Sequence, residues 1–193
     1  MRASAIGALA VWAACWVWCG SANTQQRAID TAKSVVTVRV YKAGLFSALG
    51  HNHEISAPIS SGTVDVTARQ VELRAKTSTL KVLDPGVSEK DRDEIQSTML
   101  GADVLDAGSH PEIVFRSTAA EPAGTGAWKV HGNLTLHGQA HTVDVEVRVD
   151  GGHYVGTSRF KQTVFGIRPV KVAGGTIRVK DEVGIEFNIQ LAP

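Results

Sequence analysis

Two histidines in the segment Gly50-His51-Asn52-His53-Glu54 are the residues whose type and spacing are best suited to chemistry. Side chains at positions i and i+2 of a β-strand point to the same face, so His51 and His53 could bind one metal ion. A third ligand would have to come from another part of the chain, and the spacing identifies none. The alternative is a corner between a loop and a strand, where one imidazole hydrogen-bonds the backbone and the other is exposed. The sequence favours this corner, so we expect no metal and no other cofactor.

The motifs of the common hydrolases and phosphate-binding enzymes do not occur in the sequence. It contains no Gly-x-Ser-x-Gly nucleophile motif, no glycine-rich phosphate loop and no His-Glu-x-x-His metal motif. The neighbouring carboxylates Asp91, Asp93 and Glu94 are typical of a solvated helix face. Both cysteines, Cys15 and Cys19, precede the region that we expect to fold, which excludes a thiol nucleophile there. The sequence therefore predicts no catalytic residues and a protein that is not an enzyme.

Residues 1–22 have the composition of a secretory signal peptide. Arg2 supplies a positive start, an apolar run follows, and small residues lead to a cleavage site after Ala22. The apolar run is at the short end for crossing ~30 Å of hydrocarbon, which favours cleavage over an uncleaved membrane anchor. A lipoprotein attached through one of the two cysteines is a third interpretation. We expect one mature domain, residues 23–193, that is periplasmic or secreted and is not stably inserted in a membrane.

The charge balance limits the partners of the mature domain. The chain has 20 Lys and Arg residues against 19 Asp and Glu residues, and removal of Arg2 with the signal peptide leaves 19 of each. A chain without net charge has no strong electrostatic attraction for nucleic acid or for an anionic membrane surface. The sequence therefore predicts no nucleic-acid partner, and it contains no pattern that identifies an oligomeric state.

Alternation of apolar and polar residues dominates the chain after residue 33. Val36, Val38 and Val40 alternate with polar residues, and the same period of two recurs over residues 143–150 and 185–191. Weaker signals of the same kind cover residues 54–66, 70–83, 111–119, 127–137, 153–160 and 175–180. Turn residues such as Asp84-Pro85-Gly86 separate these runs. The pattern predicts an all-β fold of about eight antiparallel strands, either a sandwich or a barrel with a filled or ligand-sized interior.

One break in the alternation falls inside the last apolar run. Asp181 occupies a position that the pattern assigns to the apolar face. Because a buried, unpaired carboxylate is costly, we expect a bulge or turn that directs this side chain to solvent.

The sequence predicts one amphipathic helix in the long connection after residue 87. Ser88 is a suitable N-cap, and Asp91 stands where a capping box places an acid. Ile95 and Met99 are four residues apart and therefore share a face, and Gly101 can end the helix. The apolar face could cover one mouth of a barrel, or it could pack on an outer face.

A closed barrel of about eight strands would have an interior lined by alternate residues, here mainly Val, Ile, Leu and Phe. If this interior is filled, it is only a core, but if it is partly open, it is a pocket for an apolar guest. The alternation predicts as its lining Val36, Val38, Val40, Phe46, Ile113, Phe115, Phe160, Phe187 and Ile189. His51 and His53 are candidates for the same ligand site.

Several ordered blocks of the sequence resemble the YceI-like family of lipid-binding and polyisoprenoid-binding proteins, and the resemblance covers residues 33–192. The blocks are Gly44-Leu45-Phe46-Ser47-Ala48-Leu49-Gly50-His51-Asn52-His53, Lys90-Asp91-Arg92-Asp93, Val104-Leu105-Asp106, His110-Pro111-Glu112-Ile113-Val114-Phe115, Gly132-Asn133-Leu134-Thr135-Leu136-His137-Gly138, Phe165-Gly166-Ile167 and Val179-Lys180-Asp181-Glu182-Val183. The resemblance implies a lipocalin-like barrel with a helix in one long connection and secretion to the periplasm. It also implies a lumen that holds an isoprenoid or fatty tail with the polar head near the mouth, and it carries over no catalytic residue set.

These observations lead to the hypothesis of a periplasmic binding or carrier protein for a long-chain apolar lipid, either polyisoprenoid or fatty-acid-like. The paired histidines differ from the single histidine of familiar family members, so the identity of the lipid stays open. A second hypothesis is a metal-dependent enzyme that uses His51 and His53. A third is a structural or stress-response domain with a filled core. Arg168 and Lys171 could meet an anionic headgroup, or they could be ordinary solvated loop charges.

Overall fold

The computed structural model describes residues 25–43, 52–172 and 177–193. Within these ranges the protein is an antiparallel β-structure with one α-helix, α1 (Glu89–Leu100), and two short 3₁₀ helices, Thr77–Thr79 and Gln162–Phe165. The strands are β1 (Gln26–Ala28), β2 (Val35–Ala43), β3 (His53–Ser56), β4 (Ile59–Asp65), β5 (Gln70–Lys76), β6 (Lys81–Val82), β7 (Glu112–Pro122), β8 (Ala127–Leu136), β9 (Gln139–Asp150), β10 (His153–Lys161), β11 (Lys171–Val172) and β12 (Ile177–Ile189).

All strands belong to one curled sheet. Its order is β1-β4-β5-β7-β8-β9-β10-β12-β2-β3-β6, and β11 pairs with β12 outside this path. Strand β3 pairs with β2, whereas β4 pairs with β5. Only Ala57 and Pro58 separate β3 from β4, so a single segment of chain joins the two sides of the sheet into a barrel. Pro58 lies where the chain changes from pairing with β2 to pairing with β5. Proline suits this position because it has no N–H to donate to either ladder.

The prediction of an all-β antiparallel barrel is confirmed, and the strand number is close to the predicted one. Eight strands remain on the path when the short strands β1 and β6 are left out and β3 and β4 are counted as one. The additional strands have two or three residues each. So short a run carries no readable alternation of its own, so the sequence pattern did not separate β6 from the run over residues 70–83 and did not predict β1 and β11.

The two ends of the barrel differ. One end, called the helix end, contains α1, the 3₁₀ helix Gln162–Phe165 and the end of β10 at Lys161. The opposite end, called the hairpin end, contains the β4–β5 turn after Asp65 and the tight β9–β10 turn. The larger group of buried apolar side chains packs at the helix end and includes Phe165, which is fully buried.

Helix α1 begins and ends as the sequence predicts. The backbone N–H of Asp91 donates to Ser88 Oγ at 3.2 Å, and the Ser88 hydroxyl donates to Asp91 Oδ2 at 2.7 Å. The side chain of Gln96 attaches the helix to the barrel, because it accepts from the Val82 N–H and donates to the Leu80 carbonyl, each at 2.8 Å. Over the described parts of the chain, no helix is both long and apolar enough to cross a membrane.

The predicted irregularity at Asp181 is present in β12. The pairing of β12 with β2 shifts register between Val179 and Val183. The Asp181 carboxylate leaves the apolar face and accepts hydrogen bonds from the Thr163 N–H at 3.0 Å and the Thr163 hydroxyl at 2.8 Å. Asp181 therefore stabilises the start of the 3₁₀ helix Gln162–Phe165, in which Phe165 is buried in the core.

Candidate functional site

The lumen of the barrel contains a cavity of about 880 Å³. This volume is within the range of about 300–1,000 Å³ that is typical of small-molecule sites. The cavity wall is mainly apolar and comes from the long strands and from α1. The lumen is therefore open, which is the case that the alternation pattern alone could not distinguish from a filled core.

The structure places every predicted ligand-site residue that it describes at this cavity. These residues are Val36, Val38, Val40, His53, Ile113, Phe115, Phe160, Phe187 and Ile189. Phe46 and His51 lie outside the described residues. Their position shows that these side chains line the cavity. Contact between them and a ligand stays a prediction.

Part of the wall was not among the predicted residues. Strands β8 and β9 contribute Trp128, Val130, Leu134, Leu136, Val143, Val145 and Val147. The alternation over residues 143–150 was the signal that could have identified the β9 members. Helix α1 contributes Ile95 and Met99, so its apolar face covers a mouth of the barrel and not an outer face. A local pattern identifies that face, but only the three-dimensional fold shows what it covers.

The cavity reaches exposed residues at both ends of the barrel. At the hairpin end its lining includes Val66, which is 49% exposed, and the exposed Arg69. At the helix end its lining includes the exposed side chains of Asp91, Glu94 and Arg178. The apolar interior is therefore bordered by polar and charged groups at each end.

His53 is the histidine whose geometry at the cavity is defined. Its Nδ1 lies 2.6 Å from Oδ2 of Asp84, whose side chain is 1% exposed. The second oxygen, Oδ1, accepts the backbone N–H of Glu54 at 2.7 Å. Asp84 therefore fixes the ring from the loop before α1. Sequence reasoning missed this partner because Asp84-Pro85-Gly86 has the composition of an ordinary turn.

The described residues do not reproduce the metal arrangement of the second hypothesis. Within them, no group of three or more His, Cys, Asp and Glu side chains could hold a metal ion. Other histidines have separate partners: His131 Nδ1 lies 2.6 Å from Asp144, and His153 Nδ1 lies 2.8 Å from Asn188. Because His51 is outside the described ranges, the geometry of the His51–His53 pair itself stays a prediction.

The outer side of the same wall carries a charged cluster around Arg39. Partial burial opposes the charged form of Arg39, but hydrogen bonds to Glu54 and Glu186 outweigh this effect and raise the pKa of the guanidinium. Arg39 also borders a second, polar pocket of about 280 Å³ together with His53 and Asp84. His53 thus lies in the wall between a large apolar cavity and a small polar pocket.

The two basic residues considered for a headgroup, Arg168 and Lys171, are exposed. The cavity lining includes their neighbour Val170 but neither of the two side chains. Arg178, which pairs with Ala43 at the helix end, is a basic residue that does line the cavity there.

Comparison with known proteins gives a consistent result. A sequence model described as the YceI-like domain matches residues 28–191. A UPF0312 protein of Vibrio cholerae is 27% identical over 178 residues, covering 86% of this chain and 88% of that protein. A UPF0312 protein of Shewanella baltica is 31% identical over 149 residues, covering 72% and 74%.

Two solved structures have the same fold. The crystal structure of Burkholderia cenocepacia BcnA matches with a TM-score of 0.62 and 23% identity, covering 86% of this chain and 99% of BcnA. The Campylobacter jejuni YCEI protein matches with a TM-score of 0.53 and 12% identity, covering 80% and 85%. At these identities the likeness concerns the fold alone.

Proposed function

The chain belongs to the YceI-like family, and we propose that it binds a long apolar lipid, of the polyisoprenoid or fatty-acid kind, inside its barrel and acts as a periplasmic carrier for it. The observation that carries this proposal is the open lumen of about 880 Å³ with its mainly apolar wall. Family membership and the barrel architecture favour a binding protein over an enzyme.

The energetics of such a lumen suit a hydrocarbon chain. Each CH₂ group that moves from water into an apolar environment contributes roughly 0.8 kcal/mol. The wall is already built by the strand ladders, so little of this gain is lost to ordering the protein when the ligand enters. A strongly polar molecule would lose hydrogen bonds to water over most of its length and would gain few in return.

Binding is tested by extracting lipid from protein purified from its native compartment and identifying it by mass spectrometry. We expect a stoichiometric apolar guest, and we expect delipidated protein to take up a fluorescent prenyl or acyl probe. Preparations that are repeatedly empty and do not take up either probe would contradict the proposal.

A matched pair of variants locates the guest. Val38 and Val145 line the cavity from β2 and β9, so Val38→Trp with Val145→Trp places two indoles in the lumen. The control is Thr37→Trp with Glu146→Trp, which adds the same side chains at adjacent positions on the opposite face of the same strands. We expect the lumen variant to lose at least tenfold in probe affinity and the control to keep it. Equal affinity in both variants would place the guest outside the lumen.

The periplasmic location is a separate part of the proposal and rests on residues 1–22 of the sequence. Terminal sequencing of the protein from a periplasmic fraction should find Asn23 as the first residue. Recovery of the chain with its apolar start intact, or with a lipid on Cys15 or Cys19, would replace the cleaved signal by one of the two alternatives.

A further inference from the structure

The side chain of His53 belongs to the inner face of the barrel. In the β2–β3 ladder His53 is directly opposite Val40, and directly opposed residues in antiparallel strands share a face. Both residues line the cavity. The neighbouring pair, Arg39 and Glu54, forms an ion pair on the outer face. His53 therefore presents an imidazole to the mainly apolar cavity at the helix end, where Asp91, Glu94 and Arg178 also line it.

Asp84 determines which ring nitrogen remains available. A carboxylate only accepts hydrogen bonds, so the short contact to Asp84 requires the proton on Nδ1 of His53, whether the ring is neutral or charged. The ring is 20% exposed, and its Nε2 has no hydrogen-bond partner among the residues that the structure describes. Because Asp84 also holds the Glu54 N–H, the carboxylate is itself fixed and acts as a positioning residue.

The Nε2 atom of His53, which has no partner among the described residues, can discriminate between the polar ends of lipids. A neutral imidazole accepts at Nε2 and a charged one donates there, and a hydroxyl group can satisfy either state. A carboxylate or a fully ionised phosphate has no proton to donate, so it can pair only with the charged ring. Asp91 and Glu94 line the cavity at the same end, and they repel an anion. Arg178 also lines that end, and its positive charge attracts an anion and so opposes this repulsion.

We propose that His53, oriented by Asp84, binds the polar end of the lumen lipid and selects a neutral hydroxyl head over an anionic one. This inference rests on the proposed function, because it concerns the head of a molecule whose tail occupies the lumen. The class of ligand is a long-chain alcohol, prenyl or alkyl, with its oxygen at Nε2 of His53 and its chain directed along the barrel toward Phe115 and Phe187.

The test compares ligands that share a tail and differ only in the head. A long-chain alcohol, the fatty acid of equal chain length and the corresponding alkane displace a fluorescent acyl probe from delipidated protein at one neutral pH. One net hydrogen bond of about 0.5–1.5 kcal/mol predicts that the alcohol binds about two- to thirteenfold tighter than the alkane. We also expect the alcohol to bind tighter than the acid.

Variants assign the preference to His53. His53→Leu should bring the alcohol to the affinity of the alkane without weakening the alkane. His53→Gln, which keeps a donor and an acceptor near the position of Nε2, should retain part of the preference. The matched control is His153→Leu, because His153 pairs with Asn188 and does not line the cavity. If His53→Leu does not fold, loss of head discrimination in Asp84→Asn with alkane binding intact is the equivalent readout.

The outcomes separate this inference from the proposed function. If none of the three ligands displaces the probe from the wild-type protein, both proposals are overturned. If all three bind equally, or if the acid binds best and Arg178→Gln removes that preference, lumen binding stands and the role of His53 is wrong.

Discussion

The packed group around Phe165 and Val82 at the helix end and the wall of the lumen are built from the same apolar residue types, but their side chains have different surroundings. At the helix end, Phe165 is 0% exposed and Val82 is 1% exposed. Along the lumen, Phe115 and Val145 are only half-buried, because one side of each faces the cavity and not other protein atoms.

This difference indicates a division of labour within one barrel. A side chain that is surrounded by other atoms gains dispersion contacts on all sides, whereas a side chain beside a void loses them on one side. We infer that side chains packed on all sides, such as Phe165 and Val82, each contribute more to folding stability than side chains that line the cavity. The two regions should therefore respond differently to the same substitution.

The largest expected effect comes from removing an aromatic ring at each place. Phe165 contacts the rings of Phe160 and His141 edge-on, each at a centroid distance of 5.2 Å. Phe165→Ala should lower the free energy of unfolding by about 3–5 kcal/mol, since it leaves a cavity in a packed cluster. Phe115→Ala should cost clearly less, because it enlarges a cavity that already exists. Urea unfolding of the ligand-free proteins measures both, and equal losses would contradict the division of labour.

A substitution that enlarges a side chain tests the same two regions by adding volume instead of removing it. Val82→Phe adds volume to a packed position and should destabilise the protein by about 1–3 kcal/mol. Val145→Phe adds the same volume at the lumen, where space is available. It should leave the free energy of unfolding nearly unchanged or raise it slightly, while it weakens uptake of the acyl probe. A large loss of stability for Val145→Phe would mean that the lumen is tighter than the cavity indicates.

The sequence predicted the lumen wall better than it predicted the polar groups at its end. Val36, Val38 and Val40 were assigned to the interior because a period of two fixes the face of every residue once one face is known. The helix limits at Ser88 and Gly101 followed from local capping chemistry. Both results depend on neighbours in sequence, and that is why they could be obtained without a fold.

The contacts that could not be predicted join distant parts of the chain. Asp84 lies 31 positions after His53, and its turn-like neighbours Pro85 and Gly86 concealed that its carboxylate is buried. The open lumen also escaped prediction, because its volume depends on how the β3–β4 segment closes the sheet and not on which residues alternate. The exchange of strand partners near Pro58 has no counterpart in the hydrophobic pattern.

The smallest expected effect concerns the outer face of the lumen wall, where Glu72 of β5 accepts hydrogen bonds from Arg116 of β7 and from Arg74. Arg116, and then Arg74, lower the pKa of the Glu72 carboxyl. A folded-state pKa below the unfolded value contributes stability that is fully present above the unfolded pKa of about 4.3 and is lost as the pH falls through the folded value.

The change that tests this contribution is Glu72→Gln, which removes the charge and keeps the shape. We expect the variant to be slightly less stable than the wild type at neutral pH and to converge with it in acid, as measured by urea unfolding at pH values on both sides of that range. The effect should be small because the charges are exposed and water screens them. A loss comparable to that of Phe165→Ala would mean that outer-face charges stabilise the lumen wall as strongly as complete packing stabilises the core around Phe165.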